Sequence, residues 1–181
     1  MAERPLRADA ARNREKVLRV AYETFAAEGL GVPIDEIARR AGVGAGTVYR
    51  HFPTKDLLFQ AIVADRLGQL TGDVRTMAVE DPGGAVYHFL HRMVDEAGVD
   101  QGLVDAMANS GIDLSVVMPD VEREFLDVLA ELVGLAQRAG TMRSDVDFMD
   151  VKTLMVGLQA MQRYRGEIGP TFQVVLDGLK P

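Results

Sequence analysis

The chain has 181 residues, 48% of them apolar and 26% charged, an ordinary globular composition that excludes a fibrous repeat and a wholly disordered chain. It contains no cysteine, which excludes a disulfide framework, a thiolate metal site and a cysteine nucleophile. The net charge of −7 hides an asymmetry: residues 1–52 hold 9 Lys+Arg and 7 Asp+Glu, a net of +2, while the remainder holds 11 and 20, a net of −9. A mildly basic head on an acidic body fits a DNA-binding module joined to a second part.

The first residues carry charge without an apolar h-region, and no apolar run approaches the roughly 20 residues of a membrane span. A soluble, cytoplasmic protein without a membrane partner is the expectation.

Apolar residues recur at spacings of three and four, with no alternating β-branched run, so an all-α fold of about nine helices is expected. Asp9 is placed to cap a first helix with the stripe Val17, Leu18, Ala21, Tyr22 and Phe25, which Gly29 closes. After Pro33, a short helix over Ile34–Ala41 presents Ile34, Ile37, Ala38 and Ala41 on one side and ends at Gly42. A second short helix, Ala45–His51, is stopped by Pro53. Thr54 then caps a long helix over residues 55 to about 77.

Asp81-Pro82 opens a helix to about residue 97, and residues 101–109 form another. Residues 110–118 read as a loop. Pro119 starts a strongly amphipathic helix to Ala139, closed by Gly140. Asp147, with Asp150 in the first turn, caps a helix over residues 148–163, and Pro170 opens the last one, residues 171–179. Two domains follow, with boundaries at residues 9–53 and 54–181.

Residues 33–52 have the form of a helix-turn-helix. Ala38 is small where two helices must cross, Gly42 can take the positive φ of a tight turn, and Val48 is an apolar wedge for the second helix. The run VGAGTVYRHFPTKDLL (Val43–Leu58), preceded by PIDEIARRAG (Pro33–Gly42), resembles the recognition-helix signature of the TetR family of bacterial repressors. The resemblance implies an N-terminal three-helix DNA-binding domain followed by a C-terminal helical bundle for ligand binding and dimerisation. It also implies that Thr47, Tyr49, His51 and Lys55 meet DNA.

Residue chemistry adds Arg50, whose guanidinium can pair bidentately with guanine, and Ala45 and Gly46, which permit close backbone approach. Lys55 opens a helix whose N-terminal amides already favour a phosphate. Three positions depart from the family pattern: Gly44 stands where serine is usual, Pro33 where threonine is customary, and Asp35 adds a negative charge. Arg39 and Arg40 read either as a solvated face or as phosphate contacts.

In the body, Val151, Leu154, Met155, Leu158 and Met161 form one stripe, with Gly157 and Ala160 allowing close helix approach. Phe172, Val175, Leu176 and Leu179 form another. These nine apolar residues are the expected homodimer interface, and the resemblance implies the same pair of helices, packed as a four-helix bundle; an ordinary intramolecular core is the alternative.

Phe89, Met93, Leu103, Met107, Met118 and Phe125 are the expected lining of a pocket for a small apolar or amphipathic effector, methionine being adaptable in irregular cavities. His88, His91 and Asp95 share a helix face but lack a fourth ligand, so no metal and no cofactor is expected. There is no Gly-rich phosphate loop, nucleophile elbow or HExxH motif, so no enzyme activity is expected. The expected function is a repressor that binds a palindromic operator in double-stranded DNA as a homodimer and is released by a small effector. The alternative is an architectural DNA-binding protein of the same fold, controlled by a protein partner or by no ligand.

Overall fold

The computed structural model describes residues 3–99 and 118–181, and among the described residues there are eight helices and no strand. They are α1 (Glu3–Glu28), α2 (Ile34–Ala41), α3 (Ala45–His51), α4 (Lys55–Glu80), α5 (Ala85–Val99), α6 (Pro119–Arg138), α7 (Phe148–Arg165) and α8 (Gly169–Gly178). The helix expected over residues 101–109 lies outside the described residues. No described helix is long and apolar enough to cross a membrane.

The described chain divides into two compact units, one ending at Arg66 and the other beginning at Leu67. The division falls inside α4, whereas the boundary expected at 53/54 coincides with the short connection before that helix.

In the first unit, α1 starts at Glu3 rather than after Asp9. Pro5 lies in its first turn, where a missing N–H breaks no intrahelical bond, so nothing stops the helix short of it. Asp9 is therefore inside the helix and its carboxylate pairs with Arg12, one turn on. The stripe Val17, Leu18, Ala21 and Phe25 is buried against Ile34, Ile37, Ala38 and Ala41 of α2, Val48 of α3, and Leu58, Phe59, Ile62 and Val63 of α4. The Phe25 and Phe59 ring centroids stand 6.5 Å apart, tilted by 60°. Tyr22 is half-buried with the Arg66 guanidinium 4.6 Å over its ring. Gly29 ends α1 with a φ of +75°.

The second unit is built on five rows that share one apolar core. Leu70 and Val74 come from α4, Val86, Phe89 and Leu90 from α5, and Val128, Leu129, Leu132, Val133 and Ala136 from α6. Val151, Met155 and Leu158 of α7 and Phe172 and Leu176 of α8 complete it. Each row keeps the three-and-four spacing of a helix face, and each fully buried leucine or phenylalanine contributes about 2 kcal/mol.

Local signals fix the ends of these helices. The Gly84 N–H donates to Asp81 Oδ1 at 2.9 Å in the turn before α5, and Gly140 closes the α6 end with a φ of +72°. At α7 the Asp147 carboxylate accepts from the N–H groups of Met149 and Asp150, at 2.8 and 3.0 Å. The Asp150 carboxylate accepts in return from the Asp147 N–H at 2.9 Å. This reciprocal capping box satisfies amides that would otherwise be orphaned.

Candidate nucleic-acid interface

The turn between α2 and α3 is set by one residue. Gly42 takes φ +61°, ψ +35°, the left-handed region that a side chain disfavours. That lets the Val43 N–H reach back to the Ala38 carbonyl at 3.0 Å and the Gly42 N–H to the Arg39 carbonyl at 3.1 Å, closing α2 in a Schellman-type cap. Ile37, Ala38 and Ala41 are buried on the inner side of α2.

From there α3 is held by a single wedge, Val48, which is 1% exposed. Gly46, Tyr49, Arg50 and His51 are exposed, and Ala45 and Thr47 are half-buried. Tyr49 keeps 42% of its surface in water. A Cβ added at Gly46 would meet no atom within 4 Å, so nothing among the described residues requires a glycine there. Phe52, just after α3, is a core residue, with the Arg14 guanidinium 5.7 Å from its ring centroid. Neither Pro33 nor Gly44 supplies a side-chain cap to the helix it precedes.

The basic residues of the head differ in their commitments. Glu36 accepts from Arg39 Nε and Nη2, both at 2.7 Å, and from Arg40 Nε at 2.7 Å. Arg40 also donates to both carboxylate oxygens of Glu28. The hydrogen bonds from Arg39 and then Arg40 hold the Glu36 carboxyl down at about 2, and those from Arg40 lower Glu28 as well. Arg39 and Arg40 are thus already partnered by carboxylates. Arg50, exposed at the end of α3, makes no ion pair among the described residues.

Lys55 stands apart from the rest of the expected set. Its side chain is half-buried, and Nζ donates to the main-chain carbonyl of Leu30 at 2.8 Å and of Gly31 at 3.4 Å, in the connection between α1 and α2.

In the body, the residues expected at the dimer interface are for the most part spent on the protomer's own core. Val151, Met155, Leu158, Phe172, Leu176 and Leu179 are buried there, and Leu154 and Val175 pack against them. Of the expected row only Met161 is exposed. Another row faces outward: Met149, Thr153, Val156, Ala160 and Tyr164 on α7, with Val174 on α8. Val156 is 58% exposed and Tyr164 94%.

Of the expected pocket residues, Phe89 is buried and its ring lies 6.0 Å from that of Phe125; Phe125 and Met93 pack against the same core. Met118 is half-buried just before α6, and Leu103 and Met107 lie outside the described residues. A groove of about 380 Å³ beside α6 is lined by other residues, Leu126, Ala130 and Phe148 among them. The Oε1 of Gln162 on α7 is buried without a hydrogen-bond partner among the described residues, while its Nε2 donates to the Val94 carbonyl at 2.8 Å. No group of three metal-ligating side chains occurs among the described residues, His88, His91 and Asp95 included.

Residues 17–62 match the family described as bacterial regulatory proteins, tetR family. Residues 81–181 match the C-terminal domain of transcriptional regulators described as SbtR-like. The chain belongs to the TetR family.

A TetR transcription regulatory protein from Mycobacterium vanbaalenii, known from its crystal structure, is 53% identical, with a TM-score of 0.79 over 98% of this chain and 100% of that one. A TetR transcriptional regulator from Streptomyces coelicolor is 32% identical, with a TM-score of 0.72 over 93% and 98%. An HTH-type transcriptional regulator of Staphylococcus aureus is 40% identical over 62 residues, 33% of this chain and 34% of that protein. The regulator SrpR of Pseudomonas putida is 42% identical over 60 residues, 33% and 28%. The match thus spans about a third of the length of these two curated relatives.

Membership in the TetR family makes the chain a transcriptional regulator rather than an enzyme, and the 17–62 match contains α2, α3 and the start of α4. Two features of the site escape a reading of residue types. The clamp of Glu36 on Arg39 and Arg40 follows from their i, i+3 and i, i+4 spacing, which was visible in the sequence. The outward row of α7 has spacings of four, three, four and four, a second helical stripe that the inner one obscures.

Proposed function

We propose that this TetR-family regulator is a homodimeric repressor that binds a palindromic operator through α3 of each head and is released by a small amphipathic effector. The observation that carries the reading is the division of α3: one buried wedge, Val48, and an outer face of Gly46, Tyr49, Arg50 and His51 that is exposed to solvent. On this reading Arg50 reads a base edge, because it is the guanidinium left unpaired beside two that Glu36 holds. Thr47 and Tyr49 meet phosphate or a thymine methyl, and Ala45 and Gly46 let the backbone come close. With no hydroxyl at Gly44 or Pro33, more of the specificity falls on Arg50 and on local DNA shape.

One recognition helix spans only a few base pairs, so two heads must act together, about 34–36 Å apart or a multiple of it. The exposed row Met149, Thr153, Val156, Ala160 and Tyr164 on α7, with Val174 on α8, supports a second copy as the occupant of that face, since exposed apolar side chains gathered on one helix face favour a protein partner. The unpartnered Gln162 carbonyl supports an effector that brings a hydrogen-bond donor into the body. Effector binding then shifts the population from DNA-competent to incompetent dimers.

Selection of bound sites from random duplex DNA by the full chain tests this. The expected product is a two-fold symmetric site with half-sites one helical turn apart. Enrichment of a single asymmetric half-site would rule out the paired heads, and no enrichment would rule out the DNA face.

A further inference from the structure

The two ends of α7 differ in chemistry. Its first turn holds Asp150 and its last turn Arg163 and Arg165. Between those arginines stands Tyr164, which keeps 94% of its surface in water. At the opposite end, Phe148 is one wall of the groove of about 380 Å³, which Glu122, Leu126, Asp127 and Ala130 of α6 also line. Lys152 Nζ donates to Glu122 Oε1 at 2.6 Å and joins the two helices along that edge. Asp127, Arg163 and Arg165 are exposed and make no ion pair among the described residues.

Val156, 58% exposed, lies midway between Phe148 and Tyr164 in the sequence. A two-fold axis crossing α7 there sets position 156 + n of one copy against 156 − n of the other, so a protruding ring on one copy meets the wall of a groove on its mate. The helices run antiparallel in this arrangement, and the basic end of each faces the acidic end of the other. A two-fold axis along α7 would instead bring Arg163 and Arg165 against the same pair, like charges facing each other, and would leave the groove open.

We propose that the groove beside α6 is the seat of the partner's Tyr164: two copies cross antiparallel at Val156, and each tyrosine closes the other's groove while its flanking arginines face Asp127. The inference rests on the homodimer reading and deepens it, because it fixes the register of the two copies and names the side chain that anchors them. Tyrosine suits the seat, having a rigid apolar body and a polar tip. Leu126, Ala130 and Phe148 pack on the ring, and the carboxylates of Glu122 and Asp127 are acceptors for the hydroxyl.

Two measurements on the full chain test this. Tyr164 is almost wholly exposed in the protomer, so Tyr164→Ser should keep the circular dichroism spectrum. Its self-association in analytical ultracentrifugation should weaken by about 100-fold or more, since each dimer loses two anchors. Tyr164→Phe keeps the ring and should lose no more than about tenfold. Wild-type association by Tyr164→Ser would overturn the proposal.

The register is read by cross-linking with Tyr164 in place. The chain has no cysteine, so Met149→Cys and Arg163→Cys each carry a single thiol, and the two positions face each other across the proposed axis. A short bismaleimide should give a covalent dimer when the two variants are mixed. Neither variant alone should link, because like positions then lie about 21 Å apart along the helices. A wild-type dimer whose mixed variants fail to link would sink the register and the seat while leaving the homodimer reading intact. A wild-type chain that sediments as a monomer at every concentration would sink both.

Discussion

In α3 one side chain is buried and the outward face is polar or bare: Gly46, Tyr49, Arg50 and His51. In α7 three side chains, Val151, Met155 and Leu158, are buried, and the outward face is again apolar: Met149, Val156 and Tyr164. Both helices are anchored by a narrow inner row and leave an unused outer one. The chemistry of the outer row differs, and that difference tells the two jobs apart. A face of hydrogen-bonding groups and an absent side chain suits a hydrated, charged, grooved partner. A face of methionine, valine and tyrosine suits a second protein surface.

The largest effect should come from the adjacent pair Met155 and Val156, which straddles the two faces of α7. Met155→Glu places a carboxylate in a site that is 6% exposed, at a cost of about 3 to 5 kcal/mol, and should unfold the body in thermal melts. Val156→Glu should leave the fold intact by circular dichroism and weaken self-association by about 100-fold or more in analytical ultracentrifugation. If both variants unfold, or both remain associated, the two faces of α7 are not distinct in the way described.

On α3, Arg50→Ala should reduce operator affinity by about 10- to 100-fold, the worth of a bidentate base contact. Arg39→Ala should change it by less than about threefold, because a carboxylate already neutralises that guanidinium. Fluorescence anisotropy on the same duplex measures both, and equal losses would remove the distinction between free and clamped arginines.

Gly46→Ala should separate stability from binding. The added methyl meets no atom within 4 Å, so it should stabilise the head by about 0.5 to 1 kcal/mol through helix propensity, while operator affinity falls. A variant that is more stable and binds as well as wild type would show that no backbone approach occurs there.

The smallest effect concerns pH. The Glu36 carboxyl is held at about 2 against its ordinary 4.5. A depressed folded-state value means that the stabilisation is complete above 4.5 and disappears as pH falls from 4.5 through 2. Because the carboxylate sits at the surface, partly open to solvent and paired with arginines that water also reaches, the change in thermal midpoint over that window should be small, and Glu36→Gln should flatten it.

Much of this was legible in the residues. Gly29, Gly42 and Gly140 close helices with positive φ because the sequence offers no other residue suited to the left-handed turn there. Asp147 and Asp150 announce their capping box by spacing alone. The face of α3 was legible because Val48 is its only large aliphatic residue.

The outward row of α7 was not, for a physical reason: α7 carries apolar residues on every side, and periodicity cannot say which side the rest of the fold covers. That choice is made by α5, α6 and α8, which bury Val151, Met155 and Leu158. Asp9 misled because a good capping residue marks a helix start only where something stops the helix upstream. The tie of Lys55 joins residues 24 and 25 positions apart, beyond the reach of any local pattern.

The outward row of α7 has a consequence in mass action. Apolar surface left in water forgoes about 25 cal/mol per Å², and whatever covers Val156 and Tyr164 returns that free energy only in proportion to the logarithm of its own concentration. When the covering surface is another copy of the chain, the protein carries a gauge of its own abundance. In that case its melting temperature would rise with its concentration, and the scarce protomer would be the one most exposed to proteolysis.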